Sequence, residues 1–542
     1  MNNLHIQTKY RRIISIGNGL IMRWSTKADT DNVINLVGEA FKWMRMPLGD
    51  PLPEDSVPGP NEFMKAGARR LLSGKNAAMS EYDYALVEDT RCPEEKNPII
   101  ACVSLHRYVA YYGSVDIHIG KPELIATNPY RSQGFVRRLL MEMVHPESEA
   151  RGDVLQFIGG IENFYRQFGY EYALYMTPAG LIESPDVVPA LAKGNAEPYI
   201  LRMATEEDLP FLNRLGVPGM LHLNAQVGIH YTPEYWRWTV HDAYQDKRSR
   251  FDTDRDTRII VEAASGKAVG FTVVSRVFMG PQLELMALED DATYLDVYEP
   301  VLRQLFVHAK ERQDLADRER EAFMKKSQPP KEPATTTTLQ TTATTVDATT
   351  NTTASTEKPE STPFQFYFAL HERHPVTILL GTKIKYEPKN VPGWSFYTRI
   401  PSYPIFIKKV APELEKRLAK SALAGFTGRL RLDFFRYVEG CSGKGLEIFF
   451  EKGRITDATE WVKPSPEKQF EEKLAWKKEG KKPVIHFATF PPLTFSLLLM
   501  GKQSLKNLEW AYGDVSLKDD STRLLLNILF PKTHHHIDVY SW

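Results

Sequence analysis

Ile125-Ala126-Thr127-Asn128-Pro129-Tyr130-Arg131-Ser132-Gln133-Gly134-Phe135-Val136-Arg137-Arg138-Leu139-Leu140 reads as the end of an apolar strand, a tight polar turn and the first turns of a helix. Val136, Leu139, Leu140, Met143 and Val144 recur at helical spacing, which predicts an amphipathic helix beginning near Gly134. A helix that starts straight after a strand gathers unpaired backbone N–H groups and the positive end of its dipole at one point. Such a point favours an anion, and a glycine at its mouth lets a pyrophosphate approach the backbone closely. Arg131 and Arg137 flank the turn and can complement phosphate charge. An Arg-x-x-Gly turn ahead of a helix is common, so this stretch alone would pass for an ordinary connection. Further along, Val154-Leu155-Gln156-Phe157-Ile158 has the composition of a buried strand and Gly159-Gly160 of a turn. The run from Ile161 through Phe164-Tyr165-Arg166-Gln167-Phe168 then reads as a short helix closed by Gly169.

Together these runs carry a resemblance. Arg131-x-x-Gly134-x-Val136 resembles the acyl-CoA loop of the GNAT acetyltransferase superfamily, Q/R-x-x-G-x-G/A, with valine in the place of the usual small residue. Phe164-Tyr165-x-x-Phe168-Gly169-Tyr170 resembles the second GNAT signature, F-Y-x-x-F-G-[FY], in the expected order and spacing. The resemblance implies that acetyl-CoA is the co-substrate. Its pantetheine would lie on Leu124, Ile125 and Ala126, and its pyrophosphate on Arg131, Ser132, Gln133, Gly134, Phe135, Val136 and Arg137. Gly160 and Ile161 would form the short turn ahead of the tyrosine helix, and Tyr165 would protonate the departing thiolate. The plainer reading of Tyr165 is a packed ring among Phe164, Phe168 and Tyr170.

Working outward, residues 20–43 read as a strand and a helix with Val33, Leu36, Val37, Ala40 and Phe41 on one face. Residues 44–74 are proline-rich and irregular, the character of a substrate lid. Strands are expected at 84–88, 99–109, 114–119 and 123–127. The chain then repeats itself. Ile21-Met22-Arg23-Trp24-Ser25-Thr26-Lys27-Ala28-Asp29 is echoed by Ile200-Leu201-Arg202-Met203-Ala204-Thr205-Glu206-Glu207-Asp208, and Glu123-Leu124-Ile125-Ala126 by Glu284-Leu285-Met286-Ala287. Continuing that alignment sets Ala292 opposite Arg131 and Leu295 opposite Gly134, with Glu289, Asp290 and Asp291 leading in. Three carboxylates and no glycine would repel a pyrophosphate, so the second copy keeps the scaffold and loses the cofactor site.

A Thr/Ala-rich tract, about 326–362, cannot bury enough apolar surface to offset its ordering entropy and is expected to be a disordered insertion within the second copy, since the apolar run 364–370 resumes it. Beyond 393 the pattern is a helix at 405–418, strands at 429–437, 445–455 (turning at Glu451-Lys452-Gly453) and 484–490, and helices at 492–500 and 504–512. This resembles a sterol-carrier-protein-type domain. The fold class expected is therefore α+β, mixed α/β. These resemblances imply that residues 1–190 are a catalytic GNAT domain, 196–392 a degenerate copy, with the Thr-rich insertion, and 393–542 a sterol-carrier-like domain.

Lys+Arg and Asp+Glu each number 68, so no bulk field favours nucleic acid or an anionic membrane. Three scattered cysteines, Cys92, Cys102 and Cys441, indicate a reducing compartment, and no apolar run reaches membrane-spanning length; a cytoplasmic protein is expected. His534-His535-His536 lacks a second ligand cluster and reads as a solvated loop, His371-Glu372-Arg373-His374 lacks zincin spacing, and Cys441 lacks a histidine partner, so no metal is expected. Trp24, Phe41, Trp43 and Met46 fall near the expected acceptor cleft, and packing in the core accounts for them equally well.

Two GNAT copies followed by a sterol-carrier-like domain is the layout of the Eis-like N-acetyltransferases. That resemblance implies acetyl transfer to an amine, on a small molecule or a lysine side chain, by a homo-oligomer. It implies that the C-terminal carboxylate, here that of Trp542, is the base. A second reading is a catalytically silent GNAT scaffold whose last domain binds an apolar ligand or partner.

Overall fold

The structure, a computed structural model, describes residues 8–43, 59–94, 96–128, 134–175, 180–223, 225–243, 255–277, 280–327, 363–371, 373–385, 395–435, 444–478 and 484–537. Arg131, Ser132, Gln133, Met46, Cys441, the Thr-rich tract and Trp542 therefore lie outside it.

Alternation builds the first sheet. In β2 (Leu20–Trp24) Leu20, Met22 and Trp24 are buried while the residues between them are half-buried. It lies between β1 (Ile14–Gly17) and β3 (Tyr84–Asp89), and the order continues through β4 (Ile99–Tyr112), β5 (Val115–Thr127) and β6 (Leu155–Ile158). A later strand, Ser395–Arg399, inserts antiparallel between β6 and β7 (Glu171–Tyr175). Helix α1 (Thr30–Ala40) buries Val33, Ile34, Leu36 and Val37, and contacts β4 and β5. Two expectations need correction. The runs at 114–119 and 123–127 are one strand, β5, interrupted by a bulge. Within the stretch expected to be irregular, Asn61 accepts from the Met64 N–H (3.1 Å) and caps α2 (Glu62–Leu71), whose small apolar face of Met64, Ala68 and Leu71 is easily missed between Lys65, Arg69 and Arg70. The helix after Gly134 begins as α3 (Phe135–Leu139), passes a π turn and ends as α4 (His145–Ala150).

The repeat is structural. Arg23 pairs with Asp29 at 2.7 Å ahead of α1; Arg202 pairs with Asp208 at 2.7 Å ahead of α5 (Leu209–Leu215). The second sheet runs β8 (Gly180–Ile182), β14 (Phe366–Phe368), β13 (Gly280–Leu288), β12 (Ala268–Val277), β11 (Arg255–Glu262), β9 (Tyr199–Met203). The short strand β10 (Val227–Ile229) leaves this unit and pairs with β4; α6 (Pro233–Ala243) follows it, packing on β11. Helix α7 (Tyr294–Ser327) crosses from β13, and α8 (Pro375–Leu380) follows β14 with His374 as its cap. Both copies are completed by exchange. β6, parallel to β5, has Ser395–Arg399 as its other neighbour; β14, parallel to β13, has β8.

With Ser395–Arg399 as β15, the remaining chain forms a third sheet, ordered β18 (Arg454–Glu460), β17 (Gly445–Glu451), β16 (Gly428–Asp433), β19 (Ile485–Thr489), β20 (Ser516–Leu517). Helix α9 (Tyr403–Ala419) buries Phe406, Val410 and Leu414 and contacts this sheet; α10 (Pro466–Lys478) lies exposed. α11 (Thr494–Leu499), α12 (Leu505–Ala511) and α13 (Asp520–Leu529) close the unit. The histidine run is not a solvated loop. His535 and His536 form β21, parallel to β10, and are 4 % and 1 % exposed. Burial wins there because β10 offers an open edge to pair with, a long-range partner that local composition does not reveal.

Candidate functional site

β5 and β6 are hydrogen-bonded side by side only at Ile119–Leu155 and Gly120–Gln156; β5 then runs on to Thr127 while β6 turns to pair with β15. A parallel ladder that parts in this way leaves unpaired backbone groups facing a wedge. The wedge opens where β5 carries an extra residue: Cys102 faces Ala126 and Ser104 faces Glu123, so three steps on β5 oppose two on β4. Leu124, at the bulge, takes φ +41°, a region costly for a leucine. Leu124, Ile125 and Ala126, the residues expected to carry pantetheine, thus form the splayed wall.

At the mouth, Gly134 has φ +72°, and a Cβ built on it would meet no atom within 4 Å. The glycine is required by the left-handed turn, and open space lies beyond it. Phe135 is buried and Val136 half-buried against the core beneath. Arg137 reaches the other signature: its guanidinium lies 3.5 Å from the Gln167 amide oxygen and stacks over the Phe168 ring, 5.6 Å from the centroid. The two sequence signatures therefore meet in space.

Tyr165 sits in a 3-10 turn, Phe164–Phe168, ended by Gly169 at φ +85°. Its ring is 5 % exposed and packs edge-on against Phe164, Tyr170 and Tyr397, with centroids 5.0, 6.1 and 5.4 Å away. Its hydroxyl has no hydrogen-bond partner among the described residues and lies 3.9 Å from where a Cβ on Gly160 would be. Burial pushes its pKa above the ordinary phenol value, with Glu123, Tyr170 and Tyr397 acting in the same direction. The phenol is therefore protonated at neutral pH and free to donate. Ile161 is exposed, and its carbonyl accepts from the Tyr397 hydroxyl at 3.1 Å. Trp24 is buried, Phe41 half-buried and Trp43 exposed.

Below the bulge lies a polar set that local reasoning did not single out. The Glu123 carboxylate pairs with Lys121, the Ser104 hydroxyl donates to the Glu123 carbonyl (2.7 Å), and His106 bridges Ser104 (3.1 Å) and Tyr108 (3.2 Å). Burial holds His106 well below the usual imidazole range, so it is neutral. Alternation along β4 is the only signal that could have grouped Ser104 with His106 and Tyr108; Lys121 and Glu123 join by cross-strand register, which the bulge hides.

In the second copy the same bulge falls at Glu284, between Val273–Leu285 and Val274–Leu283. There Arg255 donates to Glu284 at 3.0 Å, both side chains buried, and Ser275 donates to its other oxygen. Glu289 is bound by Arg214, which holds its pKa below the usual range, and Asp291 by Lys267. At the bulge the second copy thus has a buried Arg255–Glu284 pair where the first has Lys121–Glu123, and its turn after β13 carries the paired carboxylates Glu289 and Asp291.

Among the described residues, no group of three or more histidine, cysteine or acidic residues is arranged to hold a metal ion, and no helix is long and apolar enough to cross a membrane. A cavity of about 430 Å³ lined by Tyr111, Asp116, His222, His230 and Arg373 opens at the far end of the β4–β5 hairpin, away from Tyr165.

No family model matches the sequence, and no curated protein does. Solved structures do match the fold. A GCN5-related N-acetyltransferase from Kribbella flavida superposes with a TM-score of 0.54 at 12 % identity, over 96 % of this chain and 98 % of its own. One from Anabaena variabilis gives 0.54 at 11 % identity, over 95 % and 99 %. A protein from Enterococcus faecalis described as a probable N-acyltransferase gives 0.53 at 12 %, over 96 % and 99 %. The mixed α/β fold is thus that of these GCN5-related N-acetyltransferases along nearly its whole length.

Proposed function

We propose that the chain is an acetyl-CoA-dependent N-acetyltransferase acting on an amine, of the Eis-like kind, with residues 1–190 catalytic, 196–392 a silent copy and 393–542 a sterol-carrier-like unit. The observation that carries the proposal is Tyr165, a buried ring whose hydroxyl has no hydrogen-bond partner among the described residues, in the same structural unit as the β5–β6 wedge and the Gly134 turn. Acetyl-CoA supplies the acetyl thioester. The turn at Gly134, with Arg137, suits its pyrophosphate, and the splayed strand at Leu124–Ala126 suits its pantetheine. Arg131, Ser132 and Gln133 would complete the cradle.

The chain's groups have three tasks. An acceptor amine must be neutral to attack the thioester carbon, so a base takes its proton. Backbone N–H groups freed at the bulge can stabilise charge developing on the carbonyl oxygen. As the carbon–sulfur bond breaks, Tyr165 donates its proton to the sulfur. The base we assign is the α-carboxylate of Trp542 as terminal residue. Support comes from strand direction. β21 runs parallel to β10, which pairs antiparallel with β4, so His535 and His536, one strand removed from β4, point toward its Ser104 end. The acceptor would be a small-molecule amine or a lysine side chain, and the assembly a homo-oligomer.

The direct test is release of free thiol from acetyl-CoA across a panel of amines. Consumption of acetyl-CoA with any amine supports the proposal. Stabilisation by long-chain lipids, with none by acetyl-CoA, would instead favour the silent ligand-binding reading.

A further inference from the structure

We propose that Tyr397, more than two hundred residues downstream in the chain, is a positioning residue for Tyr165. The inference rests on the reading of Tyr165 as the acid and extends it. β15 brings Tyr397 between β6 and β7, pairing it with Ile158 on one side and Tyr172 on the other. Four groups then form one directed chain. The Asn163 N–H donates to the Tyr172 hydroxyl (3.3 Å), Tyr172 to the Tyr397 hydroxyl (2.5 Å), and Tyr397 to the Ile161 carbonyl (3.1 Å). The chain leaves the turn at Asn163 and returns to it at Ile161, so it clips both ends of the segment directly ahead of Tyr165. Asn163 is held there at φ +59°, a conformation that needs support from its surroundings. The two phenol rings stack at 3.9 Å, and the Tyr397 ring meets the Tyr165 ring edge-on at 5.4 Å. Hydrogen bonds in series reinforce one another, so loss of the middle member releases both ends.

β15 is itself held from the third unit. Lys502 donates to the Tyr172 carbonyl and the Ser395 hydroxyl, both at 2.7 Å, on the flanks of the stacked pair. The acid of the first unit is thus aimed by a strand from outside it, anchored by a residue of the last.

The test is Tyr397→Phe, which keeps the ring and removes the hydroxyl. Turnover should fall about tenfold, the scale of a lost link in a coupled network, with the KM for acetyl-CoA within about twofold. In a Tyr165→Phe background the same change should cost nothing further, because its effect passes through the Tyr165 hydroxyl. Hydrogen exchange of peptides covering 159–169 should quicken without change in the second and third units. The exchange arm stands even if no amine is acetylated, so it separates failure of this inference from failure of the functional reading. Unchanged turnover, additive losses in the double variant, or unchanged exchange at 159–169 would each overturn the assignment.

Discussion

Tyr165→Phe separates a proton donor from a packed ring, because the structure assigns its hydroxyl no structural task. The ring contacts with Phe164, Phe168, Tyr170 and Tyr397 survive the change, and no protein hydrogen bond is lost among the described residues. Folding stability should therefore move by less than about 0.5 kcal/mol. Tyr170→Phe is the control. Its hydroxyl, fully buried, bonds His145 at 2.9 Å, so deletion should cost about 1 kcal/mol while leaving chemistry intact. For Tyr165→Phe, loss of a positioned acid predicts a fall in turnover of about 10²–10⁴, with acetyl-CoA affinity unchanged. The assay is steady-state thiol release at saturating acetyl-CoA, with calorimetry for affinity and thermal unfolding for stability. Turnover within about twofold of wild type would refute the assignment, since the missing hydroxyl would then have no role in the rate.

Calorimetry should find one acetyl-CoA per chain, because the turn after β13 carries the carboxylates Glu289 and Asp291 and no glycine where a pyrophosphate would have to sit; two equivalent sites would contradict this. Gly134→Asp should abolish that binding by placing a carboxylate at the turn, whereas Gly134→Ala, with open space around the new methyl, should cost only about 1 kcal/mol of left-handed strain; binding retained within a few-fold by the Asp variant would displace the pyrophosphate from this turn. Extending the chain beyond Trp542, or deleting Trp542, should sharply lower turnover while acetyl-CoA still binds, and equal turnover of a C-terminally tagged enzyme would exclude the terminal carboxylate as base. Burial pulls His535 down to about 4 and His374 to about 3, and holds His106 and His145 well below the usual range. Each depressed imidazole is neutral when folded and takes up a proton on unfolding below about 6.5, so its contribution is whole above that pH and is lost as pH falls toward its folded value. Stability should decline between pH 6.5 and 5 by up to about 1.4 kcal/mol per pH unit for each imidazole; an unfolding free energy flat over that window would refute the burial.

The sequence by itself determined what depends on short stretches. Strand, turn and helix around Gly134 follow from local periodicity and a glycine, and the Phe164–Gly169 turn follows from a compact aromatic pattern with its own cap. The repeat was legible because Arg23 with Asp29, and Arg202 with Asp208, solve the same local capping problem. Tertiary structure alone decided who neighbours whom. β15 beside β6, β8 beside β14 and β21 beside β10 are pairings between strands far apart in the chain, which side-chain patterns leave open because the backbone ladder makes them. The β5 bulge, invisible to alternation, turns Leu124 into a strained wall and brings Glu123 over Lys121. Tyr397 has no signature of its own; only the strand exchange sets its hydroxyl between Tyr172 and Ile161 and its ring edge-on to Tyr165.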